Sequence, residues 1–196
     1  MNKNVTNILN MKKILFIAIL AITAFSFTTE LSAQNKEINW MTFEEAVAAQ
    51  KQNPKKIMMD AYTNWCGPCK LLDKNTFHNA DVVEYVNKNY YAVKFNAEGN
   101  EVINFKGKKY TNPRYDASKA NKRNSSHQLA GYYQIRAYPT ILFLDEKAEF
   151  LAPIKGYKTP QQLEIYLKLF ANEDHKTVKT AEAWTAYQKE FKNSFK

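Results

Sequence analysis

The chain contains only two cysteines, Cys66 and Cys69, and they are three positions apart. A fold held together by disulfides would need more pairs at longer spacing, and a structural zinc site would need four ligands. The three histidines, His78, His127 and His175, do not form the closely spaced pair that such a zinc site uses. We therefore interpret the two cysteines as a redox pair and expect no metal.

The residues around the pair indicate how it is positioned. A buried strand is predicted just before the sequence Trp65-Cys66-Gly67-Pro68-Cys69, and a helix is predicted just after it. Unpaired N–H groups and the helix dipole favour negative charge at a helix N-terminus. We expect the first cysteine to ionise more readily than a free thiol, whose pKa is about 8.5. Gly67 permits a tight turn and Pro68 stiffens the start of the helix, so little rearrangement separates dithiol from disulfide.

The stretch from Asp60 to Lys70 resembles the thioredoxin family nearly position by position, and the resemblance covers about residues 40–171. It implies an α/β thioredoxin fold, with a central mixed β-sheet flanked by helices. It also implies thiol–disulfide exchange, with Cys66 as the attacking thiolate, Cys69 as the resolving thiol and their disulfide as the redox group. No other cofactor is expected, because the sequence has no glycine-rich phosphate loop.

Other predicted site residues lie near the motif. Asp60 matches the family's buried acid, which helps to deprotonate Cys69; a carboxylate in an apolar strand should also have a raised pKa and act as a base. An ordinary aspartate at a strand end is the alternative. Lys94 matches a lysine that lies near this acid in the family, although an exposed strand lysine would look the same. Trp65 is expected to pack beside the pair and offer an apolar contact surface.

A second predicted part of the site lies far along the chain. The sequence Tyr138-Pro139-Thr140 directly precedes an apolar strand and resembles the family's cis-proline loop. A proline lacks the N–H group, and the neighbouring backbone can pair with an extended substrate strand. Gly156 matches a glycine that flanks the substrate groove. These four residues are the predicted substrate-binding residues.

The first 33 residues have the pattern of a secretory signal peptide. Lys12 and Lys13 precede an apolar run of 14 residues from Ile14 to Phe27, and Ala33 follows as a small residue at the expected cleavage point. A membrane span would need about 20 apolar residues. We therefore predict export, to the periplasm, with a membrane tether through an uncleaved signal as the alternative.

The remaining sequence predicts a domain over residues 34–171 and a helical extension over residues 172–196. Helical and strand patterns alternate along the domain, as in α/β folds. Residues 99–128, before the cis-proline loop, are poor in aliphatic residues and are predicted to be an inserted loop that either carries function or is mobile. A final helix carries a stripe formed by Trp184, Tyr187 and Phe191, which either packs on the domain or docks a partner.

Composition limits the partners. The formal net charge of +9 comes largely from scattered lysines, so nucleic-acid binding is not expected. We predict a monomer whose partners are disulfide-containing exported proteins and a membrane or exported thiol that donates electrons. The Gly-Pro dipeptide between the cysteines resembles the reducing members of the family. A disulfide oxidase or isomerase, or a non-catalytic binding module, are the alternatives.

Overall fold

The computed structural model describes residues 37–196, so the predicted signal peptide lies outside the described residues. The strands are β1 (Trp40–Met41), β2 (Ile57–Tyr62), β3 (Tyr91–Asn96), β4 (Ile103–Phe105), β5 (Lys108–Tyr110), β6 (Thr140–Leu144) and β7 (Phe150–Lys155). The α-helices are α1 (Phe43–Gln52), α2 (Gly67–Leu72), α3 (Ala80–Asn89), α4 (Gln128–Tyr132), α5 (Pro160–Ala171) and α6 (Ala181–Glu190). A π-helical turn, Asp73–Phe77, continues α2.

Five strands form a mixed sheet in the order β1-β3-β2-β6-β7. β2 lies at its centre, parallel to β3 and antiparallel to β6, and β7 completes the antiparallel edge. β2 and β6 are almost continuous runs of buried residues, because helices cover both faces of the sheet. The predicted central mixed sheet flanked by helices is confirmed.

Local sequence signals define several helix ends. Thr42 and Glu45 form a capping box at the start of α1, with side-chain and backbone bonds in both directions. The Asn79 side chain accepts hydrogen bonds from the N–H groups of Asp81 and Val82 and so caps the start of α3. Strand β1 is only two residues long and was not predicted.

The prediction of an inserted loop over residues 99–128 is wrong in one respect, because part of it is a β-hairpin. β4 and β5 pair through a turn in which Lys106 and Gly107 both have positive φ. Phe105 and Tyr110 are buried in the core beside α1. The segment has few apolar residues, but Ile103, Phe105 and Tyr110 of the hairpin are buried, and a short hairpin can be anchored by so few.

The C-terminal extension packs on the domain, which is the first of the two alternatives that the sequence left open. Trp184 of α6 stacks on Tyr166 of α5 at 5.5 Å between ring centroids, and the Tyr187 hydroxyl donates to Asp174. The chain then returns to α5, where the buried Glu164 carboxylate accepts the backbone N–H of Ser194 at 2.9 Å. Within residues 37–196, no helix has both the length and the apolar character needed to cross a membrane.

Candidate active site

The cysteines lie where the central strand passes into a helix. β2 ends at Tyr62, and α2 begins at Gly67 with Cys66 as its N-cap residue. Cys66 and Cys69 are joined by a disulfide and are only 3% and 5% exposed, whereas Gly67 and Pro68 are exposed at the helix start. The Cys69 N–H donates to the Cys66 sulfur at 3.1 Å. An N–H group of this helix end therefore points at the sulfur that would carry negative charge in the dithiol form.

Asp60 lies within β2, beneath the motif, and is 1% exposed. Burial raises the pKa of its carboxyl to about 6, and this effect outweighs the attraction of Lys94, whose Nζ lies 3.1 Å from Oδ2. The other carboxylate oxygen, Oδ1, accepts no hydrogen bond from the described residues. Asp60 is thus a buried acid that takes up a proton near neutral pH, as expected from its place in an apolar strand.

Lys94 is not a simple exposed strand lysine. The register of the parallel strands places it opposite Asp60, and its ammonium group also pairs with Asp73. It lies over the ring of Trp40, at 4.5 Å from the centroid. Partial burial lowers the pKa of Lys94, but the two carboxylates more than reverse this effect and hold the pKa above its ordinary value. Lys94 therefore remains charged beside Asp60.

An open cavity of about 490 Å³ joins these groups. Asp60, Cys69 and Lys94 line it together, and Asn121 of the insertion contributes to its wall. The buried carboxyl and the second cysteine therefore face one space that solvent can enter. This arrangement allows a proton to pass between Cys69 and Asp60 directly or through a water molecule.

The predicted substrate loop lies at the same edge of the sheet as the motif, because Thr140 pairs with Ala61 near the end of β2. The Tyr138–Pro139 peptide bond is cis. Gly156, with φ of +77°, donates its N–H to the Pro139 carbonyl at 2.8 Å and so supports the loop from β7. The Thr140 side chain is buried and donates to the Ala137 carbonyl at 2.7 Å, so it stabilises the loop and does not face solvent.

Trp65 is held by residues that sequence reasoning missed. Its indole N–H donates to Glu98 at 2.7 Å, and the same carboxylate oxygen accepts the backbone N–H of Asn124 at 2.8 Å. The Tyr138 ring meets the indole edge to face at 6.1 Å, and the Arg123 guanidinium lies 4.9 Å from its centroid. No local pattern identifies Glu98 or Arg123, because both reach Trp65 through the tertiary fold.

In residues 37–196, no three His, Cys, Asp or Glu side chains are grouped as a metal site would require. The buried polar groups around the motif are instead suited to holding and moving protons beside a disulfide. The chemistry that this arrangement supports is thiol–disulfide exchange.

Comparison with known proteins agrees with the fold. A family model described as thioredoxin-like domain matches residues 43–171. A thioredoxin from Mycoplasmoides gallisepticum is 29% identical over 92 residues, which are 47% of this chain but only 62% of that protein. A thioredoxin-fold protein from Helicobacter pylori superposes with a TM-score of 0.54 at 17% identity, covering 80% of this chain and 92% of that one. A thioredoxin from Thermus thermophilus gives 0.50 at 14% identity, covering 68% and 87%. The chain belongs to the thioredoxin-like domain family, and it carries a Cys-x-x-Cys pair joined by a disulfide.

Proposed function

We propose that this protein reduces disulfide bonds in exported proteins. The observation that carries the proposal is the Cys66–Cys69 disulfide at the start of α2, with Cys69 and the buried Asp60 lining one cavity. A reductase needs a first thiol that ionises readily and a second thiol that can be deprotonated after the first has reacted. The helix N-terminus supplies the first condition, and Asp60 supplies the second.

The reaction begins from the reduced pair. The Cys66 thiolate attacks one sulfur of the substrate disulfide, that S–S bond breaks, and the leaving thiolate takes a proton from water. Asp60 then accepts the proton of Cys69, whose sulfur attacks Cys66 and breaks the mixed disulfide. The substrate leaves with both sulfurs reduced, and the pair is oxidised to a disulfide. A membrane or exported thiol donor returns the two electrons.

The substrate is expected to bind across the motif and the loop before β6. Trp65 and Tyr138 supply an aromatic surface on one side of the cysteines. The backbone beside Pro139 is positioned to pair with an extended substrate segment, while Gly156 holds the loop from behind. The preference for exported substrates rests on the signal-peptide pattern of residues 1–33.

The proposal is tested by a matched pair of variants. With dithiothreitol as donor and a disulfide-linked peptide as substrate, Cys66→Ser should abolish turnover. Cys69→Ser, reduced and then separated from dithiothreitol before the peptide is added, should instead accumulate a covalent mixed disulfide between protein and peptide, visible by mass spectrometry. Turnover by the Cys66→Ser protein would refute the assignment of the attacking thiol.

The direction of the reaction is tested by the reduction potential of the cysteine pair, measured by equilibration against defined thiol buffers. A potential near about −270 mV supports a disulfide reductase. A value nearer about −120 to −180 mV would indicate an oxidase or isomerase instead. If no reversible couple were observed, the protein would be a binding module and the proposed function would be wrong.

A further inference from the structure

Part of the insertion lies directly against the cysteine motif. The Ala120 carbonyl accepts a hydrogen bond from Asn64 at 2.9 Å, two residues before Cys66. Asn124 donates its backbone N–H to Glu98, the same carboxylate that holds Trp65. We call residues 120–124 the motif-facing segment. Since this segment contacts the loop that precedes Cys66, a substrate that reaches the cysteines also meets the segment.

The motif-facing segment is held in place by its own hydrogen bonds. Asn124 and Asp116 bond reciprocally: the Asn124 amide donates to the Asp116 carbonyl at 2.8 Å, and the Asp116 N–H donates to the Asn124 side chain at 3.0 Å. Asn112 ties the base of the insertion to Gly99 and Ser125 at 3.0 and 2.7 Å. A side chain on this segment is therefore positioned before substrate arrives, so less ordering is needed on binding.

Arg123 is the side chain of this segment that packs on Trp65 of the motif. Its guanidinium lies over the Trp65 ring and is exposed, and it forms no ion pair among residues 37–196. Glu98, which accepts the indole N–H of Trp65, is buried and already accepts two hydrogen bonds. A guanidinium that packs on an aromatic ring keeps N–H groups available for a carboxylate, which it can bind through two parallel bonds.

Further cationic residues are close in sequence to the cysteine motif, to Arg123 and to the loop before β6. Lys70 directly follows Cys69, Lys122 is adjacent to Arg123, and Arg136 lies two residues before Tyr138; all are exposed and unpaired in the described part of the chain. Two acidic residues of this part of the molecule already have cationic partners. Asp73 pairs with Lys94, and Asp116 pairs with Lys119 of the same insertion.

We propose that Arg123 binds a carboxylate next to the substrate disulfide, so that the protein prefers disulfides in acidic segments. The inference rests on the proposed reductase function and names the substrate class of that same site. Trp65 orients the guanidinium, and the insertion determines where it stands relative to Cys66. The preference is therefore a property of the insertion and not of the cysteine motif alone.

The test compares two synthetic peptides that close the same disulfide loop and differ only in a Glu or a Gln next to one cysteine. For the unmodified protein, kcat/KM should be about five- to tenfold higher for the Glu peptide, as expected for a charge-assisted pair at a partly exposed site. This ratio should fall to near one in Arg123→Gln and should be only partly retained in Arg123→Lys, which keeps the charge but loses the planar fork. Arg114→Gln, an exposed arginine of the same insertion, is the matched control and should keep the full ratio.

The possible outcomes separate the inference from the function on which it rests. Equal rates for the two peptides with the unmodified protein would overturn the carboxylate preference and leave the reductase proposal intact. An unchanged peptide ratio in Arg123→Gln, with both rates reduced, would show that Arg123 only supports Trp65, and would also overturn it. If the protein did not accelerate reduction of either peptide beyond the rate with dithiothreitol alone, the reductase function and the inference would both be refuted. The reduction potential should be the same in Arg123→Gln as in the unmodified protein.

Discussion

Replacing Asp60 with asparagine should make the oxidised protein more stable at neutral pH. The Asp60 carboxyl is buried, and burial raises its pKa from 3.8 to about 6 in the folded protein. Each unit of pKa difference corresponds to about 1.4 kcal/mol, so ionised Asp60 costs the folded state about 3 kcal/mol at pH 7. Asparagine has nearly the same shape and carries no charge. Lys94 keeps its second partner, Asp73.

The pH dependence gives a sharper signature than stability alone. Between about pH 4 and about pH 6, the folded protein holds a proton on Asp60 that the unfolded chain releases. The free energy of unfolding should therefore fall as the pH rises through this window, and the contribution of Asp60 should be constant above it. Asp60→Asn removes this contribution, so the two proteins should be similarly stable at low pH and differ most at neutral pH.

Urea unfolding of the oxidised proteins at about pH 4 and about pH 7 measures both effects. Asp73→Asn is the matched control, because it removes a carboxylate that also contacts Lys94 but leaves Asp60 in place. Asp73→Asn should therefore show the same decrease in the free energy of unfolding between about pH 4 and about pH 7 as the unmodified protein. The reasoning would be refuted if Asp60→Asn were no more stable than the unmodified protein at pH 7, or if it showed the same dependence on pH.

The same substitution should slow catalysis. A thiol with a pKa of about 8.5 is only about 3% ionised at pH 7, so without its base Cys69 should resolve the mixed disulfide up to about 30-fold more slowly. Rapid-quench measurement of the mixed disulfide reports this step. If Asp60→Asn were more stable but resolved the mixed disulfide as fast as the unmodified protein, Asp60 would not be the base.

Two predictions concern the β4–β5 hairpin and the C-terminal extension. Phe105→Ala should lower the free energy of unfolding by about 3–5 kcal/mol, because it leaves a cavity beneath the hairpin. Val102→Ala, at a position 48% exposed, is the control and should change the free energy of unfolding by less than about 0.5 kcal/mol. Equal effects of the two substitutions would contradict the burial of Phe105 in the core. Glu164→Gln should weaken the attachment of Ser194 by about 1–3 kcal/mol and speed carboxypeptidase trimming at least about fivefold. Glu182→Gln, at an exposed site, should leave the trimming rate unchanged, and an unchanged rate in Glu164→Gln would refute the anchoring role.

The sequence alone was sufficient to predict features that depend on neighbouring residues. The pair Cys66 and Cys69, the capping box formed by Thr42 and Glu45, and the apolar runs of the central strands are all recognisable within short windows. Each is a local signal with a direct physical reason, such as the orphan N–H groups of a helix start or the burial of both faces of a sheet. Together they predicted the α/β layers, and the comparison with known families confirmed the fold.

Only the tertiary structure decided what surrounds the cysteines. Trp65 contacts Glu98 and Arg123, which are 33 and 58 residues further along the sequence. Neither contact corresponds to a periodic pattern in the sequence. The hairpin was missed because few apolar residues are needed when their partners come from α1, a distant helix. Local patterns predict which groups can do chemistry. Contacts between distant segments decide which charges stand beside those groups, and hence which substrate we expect the site to select.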